Sequence, residues 1–264
     1  MNNTTQSNTI NSCECYAVFG ACGRIGQAVT RNLLELGHTV LAVDLNPDGL
    51  QQLQASLNPT LKDNCQFFAL NLFDADHASK FFDKLSSDKR HVVGFCNTII
   101  SDKSWKRKKF EDLDHTDLST GILSEIPFQT VINRTICEYL ISIGGGSLVL
   151  ISSIQGCFAP KFHHYNGTNM TSPIDYSIAK AATLISAQWM SKYYSGKNIS
   201  INTVSPGGIL DNQSPKFLES YRADCSNKGM LSPADIAPTI VHLLQPAARY
   251  ITGQNVVIDD GWSL

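Results

Sequence analysis

The chain has little of what would mark it for nucleic acid, for a membrane or for export. Charged residues fill only 17% of its 264 positions and the formal net charge is −2. Neither sign dominates, so no nucleic acid and no anionic membrane surface is expected as a partner. No apolar run reaches the roughly eighteen residues that a spanning helix needs. The opening "MNNTTQSNTINS" has neither a basic nor an apolar region, so it is not expected to be a secretory leader. Residues 1–12 read as a disordered tail ahead of a single domain over 13–264. The eight cysteines contain no CxxC pair and no Cys/His ligand spacing, so no metal site is expected. Without an export signal they read as reduced thiols of a cytoplasmic protein. No linker rich in Pro, Gly or Ser divides the chain, and no repeat does.

What is present is a core and an alternation. Apolar residues make up 42% of the sequence, enough for a globular α/β domain. Seven short apolar runs stand out: "CYAVFG" (15–20), "HTVLAVD" (38–44), "CQFFALN" (65–71), "HVVGFCN" (91–97), "SLVLISS" (147–153), "ISINTVS" (199–205) and "QNVVID" (254–259). Several are continuous rather than alternating, as in strands covered on both faces. Helical patterns lie between them. In the first, Ile25, Val29, Leu33 and Leu36 form an apolar stripe and Gly37 follows as a stop. Such alternation predicts right-handed βαβ units and a Rossmann-like, doubly wound parallel sheet of about seven strands.

"VFGACGRIG" places Gly20, Gly23 and Gly26 between the first strand and the first helix, and Asp44 ends the next strand eighteen residues past Gly26. Glycines here allow a tight turn and a close backbone approach to a pyrophosphate, which the helix N-terminus then attracts. A carboxylate at Asp44 is placed to accept both hydroxyls of an adenosine ribose and to repel a 2′-phosphate. That favours NAD, while Arg24 in the loop keeps NADP possible.

"TSPIDYSIAKAATLISAQWMSKYY" reads as a helix with Ser172 as N-cap, Pro173 at the first position and Asp175 in the first turn. Tyr176 and Lys180 then share one face. For a tyrosine to act as base near neutrality, its pKa of ~10 must fall by about three units, roughly 4 kcal/mol. An ammonium ~4 Å away, at an effective dielectric of ~20, supplies about that much. Ser153, at the C-terminal end of its strand, lies on the edge where α/β sheets bind ligands. Its hydroxyl can hold the oxygen from which Tyr176 takes a proton.

These segments together resemble the short-chain dehydrogenase/reductase family, from about residue 15 to the end. They are "GACGRIG", Asp44, "LISS" with Ser153, "YSIAK" with Tyr176 and Lys180, "INTVSPGGI" and "ITGQNVVIDDGW". The resemblance implies that Tyr176 is the acid/base, that Ser153 orients the substrate, and that Lys180 also holds the nicotinamide ribose. Cofactor contacts would come from Gly20, Gly23, Arg24, Ile25, Gly26, Asp44, Asn71, Leu72, Asn97, Pro206, Gly207 and Ile209, and the protein would be a homotetramer or homodimer. Within the family, "APKFHHYNGTNMTSPIDYS", "SPGGILDNQ" and "NKGML" resemble oxidoreductases of flagellin-modification and legionaminic-acid pathways, which implies an activated or phosphorylated sugar as substrate. Three departures stand out. The usual loop has its middle glycine one residue later, where this chain has Arg24. The usual Asn-Asn-Ala-Gly segment reads "CNTI". Counting back from Phe128, the helix asparagine of the family's proton relay falls on Leu123, with Pro127 nearby breaking the helix pattern. Asn71 also replaces an aspartate that usually faces the adenine.

Ser153 and Tyr176 are separated by a longer interval than the family commonly has. Roughly doubling a loop costs only about 0.6 kcal/mol, so a strand end and a helix start can hold both residues while the loop bulges. Gln155, Phe162, His164 and Tyr165 in this interval suit stacking on a sugar ring and bonding its hydroxyls, which predicts a flap beside the substrate. A second stretch, "SDKSWKRKKFEDL", carries five basic residues within 103–109 and would draw an anionic substrate. The reading is an NAD-preferring oxidoreductase interconverting a secondary alcohol and a ketone, on a phosphorylated or nucleotide-linked sugar. The alternatives are an NAD-binding regulator that has lost turnover, motivated by Leu123, and a sugar-nucleotide epimerase or dehydratase, motivated by the glycine spacing.

Overall fold

The structure is a computed structural model that describes residues 14–100 and 109–264. The expected tail over 1–12, and residues 103–108 of the basic stretch, lie outside the described residues. Each of the seven apolar runs forms a strand: β1 (Cys15–Phe19), β2 (Thr39–Asp44), β3 (Cys65–Ala69), β4 (Val92–Asn97), β5 (Gly146–Ile151), β6 (Ile199–Pro206) and β7 (Asn255–Ile258). They make one all-parallel sheet in the order β3-β2-β1-β4-β5-β6-β7.

The central runs are continuous because helices cover both faces. On one face lie α1 (Arg24–Glu35), α2 (Pro47–Ser56) and α8 (Pro233–Leu244), where Val29, Leu33, Val40, Ile240 and Leu244 share an apolar cluster. On the other lie α4 (Ala75–Ser87), α5 (His115–Ser142) and α6 (Ile174–Tyr193), with Phe19, Phe81, Phe95, Ile136 and Leu148 in a second cluster. Each such side chain contributes about 1.5–3 kcal/mol by leaving water. Two short helices, α3 (Pro59–Lys62) and α7 (Pro215–Ala223), complete the chain. Gly37 does stop α1: its φ is +83°, and the N–H groups of Gly37 and His38 donate to the carbonyls of Leu34 and Leu33.

The strand order reverses between β1 and β4. The chain leaves β1 for one face and β4 for the other, so a crevice opens outside their C-terminal ends. Two local expectations change. Pro127 does not break α5, although it has no N–H for the carbonyl four residues back. The inner stripe of Gly121, Glu125, Ile132, Ile136 and Leu140 is buried along the helix, and that packing outweighs the missing bond. Nor does Ser172 cap α6. Pro173 holds the N-cap position without a side-chain bond, and the Ser172 hydroxyl donates to Gln155 Oε1 at 2.9 Å instead.

Candidate active site

The glycine loop is shaped by close backbone packing. Gly20 has φ +79°, and a Cβ on it would lie 2.5 Å from Thr98 Oγ1; a Cβ on Gly26 would lie 2.2 Å from the Gly20 carbonyl oxygen. α1 starts after Gly23 with no side chain capping it, so its first N–H groups and its partial positive charge face the crevice. This cradle fits a dinucleotide pyrophosphate. Asp44 sits beside it and accepts from the Cys22 N–H at 2.9 Å and the Asn46 N–H at 3.0 Å. Arg24 turns elsewhere: its Nη1 lies 3.3 Å from both the Leu210 carbonyl oxygen and Asp211 Oδ2, across the mouth of the crevice.

A cleft of about 560 Å³ runs from this loop over the C-terminal ends of β5 and β6. Its lining brings together Gly23, Arg24 and Ile25, then Ser153, Tyr176 and Lys180, and then Pro206, Gly207 and Ile209. Gly20 and Gly26 shape the turn behind it. Asp44, beside the loop, and Asn71, Leu72 and Asn97 also stand outside this lining. Asn71 Oδ1 accepts from the Phe73 N–H at 3.1 Å, and the Leu72 side chain is buried in the core. Asn97 donates to Gln129 Oε1 at 2.9 Å and Asn133 Oδ1 at 2.8 Å, tying the end of β4 to α5.

Ser153 is buried beside the cleft, and its Oγ accepts from the Gln155 N–H at 3.2 Å. Lys180 is also buried; its ammonium donates to the Ile151 carbonyl at 3.1 Å and lies 5.9 Å from the centre of the Tyr176 ring. Burial works against the pull that the lysine was expected to exert on the tyrosine. Burial pushes the Tyr176 phenol above its ordinary range, with Glu125 and Tyr165 adding to the rise and a hydrogen bond with Ser153 opposing it. Burial likewise pushes Lys180 down, against the attraction of Glu125. Both shifts favour an uncharged pair, so forming the phenolate calls for a further positive charge in the cleft. Oxidised nicotinamide supplies one when bound.

The expected relay position, Leu123, faces away from the cleft. Leu123 is 65% exposed and lines an outer groove with Phe73 and Phe128. Two residues on, about 200° around the helix, Glu125 is 1% exposed, and a carboxylate there opposes the Tyr176 phenolate and favours the Lys180 ammonium. The signal was in the sequence: Gly121, Glu125, Ile132, Ile136 and Leu140 follow the helical period of an inner stripe.

The long interval folds over the cleft with two short 3₁₀ turns, Ile154–Gly156 and Phe162–Tyr165. Gln155, His164 and Tyr165 line the cleft, and Phe162 does not; it is 64% exposed. The turn draws His164 inward instead, because polar partners wait there. Its Nδ1 lies 3.0 Å from Ser220 Oγ, and its Nε2 accepts the Trp262 indole N–H at 3.0 Å. Asp224 Oδ2 meets His163 Nε2 at 3.1 Å, His164 Nε2 at 3.3 Å and Lys161 Nζ at 3.5 Å. By type, His163, His164 and Asp224 are metal ligands. Here the His164 nitrogen is engaged by Trp262 and an ammonium shares the carboxylate, so the group straps the flap to α7. Sequence reasoning passed over Lys161, Gln213, Phe217, Tyr221 and Trp262, which also line the cleft. The "DDGW" segment carried a signal, since a tryptophan's large apolar ring is mostly buried.

Comparison with known proteins agrees with this geometry. A family model described as enoyl-(acyl carrier protein) reductase matches residues 20–263. The chain belongs to the short-chain dehydrogenase/reductase family and is an NAD(P)-dependent oxidoreductase. It is 32% identical to post-translational flagellin modification protein A of Campylobacter coli, over 94% of this chain and 97% of that protein. It is 29% identical to a 3-oxoacyl-[acyl-carrier-protein] reductase of Rickettsia conorii, over 92% of this chain and 94% of that one. In fold it is similar to a short-chain dehydrogenase of Leptospira borgpetersenii with bound NAD+, at a TM-score of 0.81 and 21% identity, covering 95% of this chain and 93% of that one. Among the described residues, no helix is long and apolar enough to cross a membrane.

Proposed function

We propose that the protein is an NAD-preferring oxidoreductase that interconverts a secondary alcohol and a ketone on an anionic sugar derivative, phosphorylated or nucleotide-linked. Ser153 holds the substrate oxygen, and Tyr176 takes or returns its proton while hydride passes to or from nicotinamide. Lys180 stabilises the phenolate and binds the nicotinamide ribose. The observation that carries the reading is the make-up of the cleft. Ser153, Tyr176 and Lys180 meet there under a flap bearing Gln155 and Tyr165. Arg24 and Lys161 add positive charge, and among the described residues no Asp or Glu side chain lines it. Such a lining attracts a phosphate-bearing ligand. The name of the Campylobacter coli relative supports a substrate connected with flagellin modification.

Asp44 beside the glycine loop supports NAD, because its carboxylate would repel a 2′-phosphate. The other reading, an NAD-binding regulator without turnover, is motivated by Leu123 at the relay position; turnover that is abolished in Tyr176→Phe would eliminate it. A cytoplasmic homodimer or homotetramer fits the exposed row of Ile185, Trp189 and Tyr193 on α6, which a second copy would cover. The test is a screen of sugar phosphates and nucleotide sugars for NAD reduction, run beside their neutral parent sugars. Turnover confined to the anionic compounds is the expected result; equal turnover of neutral alcohols would overturn the substrate class.

A further inference from the structure

We propose that Asn255 is a positioning residue for the reaction: with Cys157 and Ser205 it closes a hydrogen-bonded ring that holds the turn after Ser153 in place against the Pro206–Gly207 end of β6. The inference rests on the substrate-orienting role given above to Ser153.

The sheet itself does not hold these two segments together. Pairing of β5 with β6 ends at Ile151 and Val204, and the Ser152 N–H makes the last backbone bond, to the Val204 carbonyl at 2.8 Å. Ser153 and Pro206 lie past that point. Among the described residues no backbone bond joins residues 153–158 to 205–209. Ser153, Pro206 and Gly207 all line the cleft, so a drift between the two segments would change where Ser153 holds the substrate oxygen.

Side chains bridge the gap. Asn255, the first residue of β7, donates from Nδ2 to Cys157 Sγ at 3.3 Å. The thiol reaches Ser205 Oγ at 3.5 Å, and that hydroxyl donates to Asn255 Oδ1 at 2.7 Å. The Thr203 hydroxyl lies 3.0 Å from the same amide oxygen. Ser205 and Thr203 are buried, so removing one member leaves the others without water to replace it. Bonds that run head to tail also polarise one another, and each strengthens the next. Cys157 carries the ring to the serine. Its Sγ lies 3.7 Å from the Ser153 carbonyl oxygen, which accepts the Gly156 N–H at 2.9 Å. On its other side the turn rests on α6. Ser152 Oγ donates to the Lys180 carbonyl at 2.8 Å, and a Cβ on Gly156 would lie 2.7 Å from the Lys180 carbonyl carbon. The turn is clamped between the helix that bears Tyr176 and Lys180 and the end of β6. None of Cys157, Ser205 and Asn255 lines the cleft, so they act through Ser153.

The test compares Asn255→Ala and Cys157→Ala, which open the ring, with Cys157→Ser, which keeps a donor and an acceptor in it. Amide hydrogen exchange at Gly156 and Cys157, followed by NMR without substrate, should be about tenfold faster in the two opening variants and near wild type in Cys157→Ser. Initial rates are then taken with NAD and the sugar phosphate or nucleotide sugar that the wild type oxidises fastest. The kcat should fall by about tenfold or more in the opening variants, with NADH affinity within about twofold, and Cys157→Ser should recover most of the rate. Unmoved exchange would overturn the proposal. So would faster exchange with an unmoved kcat, which makes the ring merely structural, or Cys157→Ser as slow as Cys157→Ala. Should Asn255→Ala fail to fold, the two Cys157 variants decide. A wild type that oxidises none of these compounds counts against the activity, and the exchange measurement then decides the ring by itself.

Discussion

The glycine-loop side of the cleft is built from backbone, whereas the flap side is built from side chains. On the first side a positive φ at Gly20, a Cβ-free contact at Gly26 and the bare N-terminus of α1 make the cradle. On the second, His164, Ser220, Asp224, Lys161 and Trp262 meet from three separate stretches of chain. Backbone sites need particular residue types at fixed spacing, so they can be changed at only a few positions. A side-chain strap can be rebuilt from many combinations, which is how one scaffold carries different substrates.

The largest expected effect lies on the backbone side. Gly26→Ala puts a methyl 2.2 Å from the Gly20 carbonyl oxygen, which a rigid turn cannot relieve. NADH binding followed by fluorescence should weaken by about a hundredfold or more, as from the loss of ~3 kcal/mol; near-normal binding would mean that the loop is more pliant than its packing implies. Asp44→Asn comes next. It keeps an acceptor for one of the Cys22 and Asn46 N–H groups while removing the charge, and it should shift the NADH to NADPH preference by about tenfold toward NADPH.

The smallest effect lies on the flap side and depends on pH. His164 is held below its ordinary pKa, first by burial and then by His163 and Lys161, with Asp224 opposing. The unfolded chain therefore takes up the proton first. The contribution of His164 to stability is complete above the unfolded value of ~6.5 and declines as pH falls below it. Melting temperature should drop from pH 7 toward pH 5, and His164→Gln should flatten that slope without abolishing NADH binding. An unchanged slope would detach the strap from His164.

The same contrast explains how much was legible in the sequence. The seven strands, the glycine loop and the Tyr176–Lys180 face are local patterns of period and spacing, and each formed where it was expected. That Leu123 points outward while Glu125 points inward is a matter of two residues on one helix, which a count from Phe128 does not resolve. Ser172 was read as a cap because its partner, Gln155, lies seventeen residues away. Phe162 was taken for a stacking residue because residue type alone does not say which member of "FHHY" turns inward. The raised phenol of Tyr176 depends on burial under a folded flap and on a carboxylate from another helix, and neither is a property of the segment that holds the tyrosine.

The central claim is that Tyr176 moves the proton for a hydride transfer that the rest of the cleft positions. The most direct measurement compares NAD(P)H formation by the wild-type protein and by Tyr176→Phe, with NADH affinity taken on both. The account predicts turnover lower by about a hundredfold or more in the variant, with cofactor affinity within about twofold, or ~0.4 kcal/mol. Turnover preserved in Tyr176→Phe would contradict it and pass the proton to another group in the cleft.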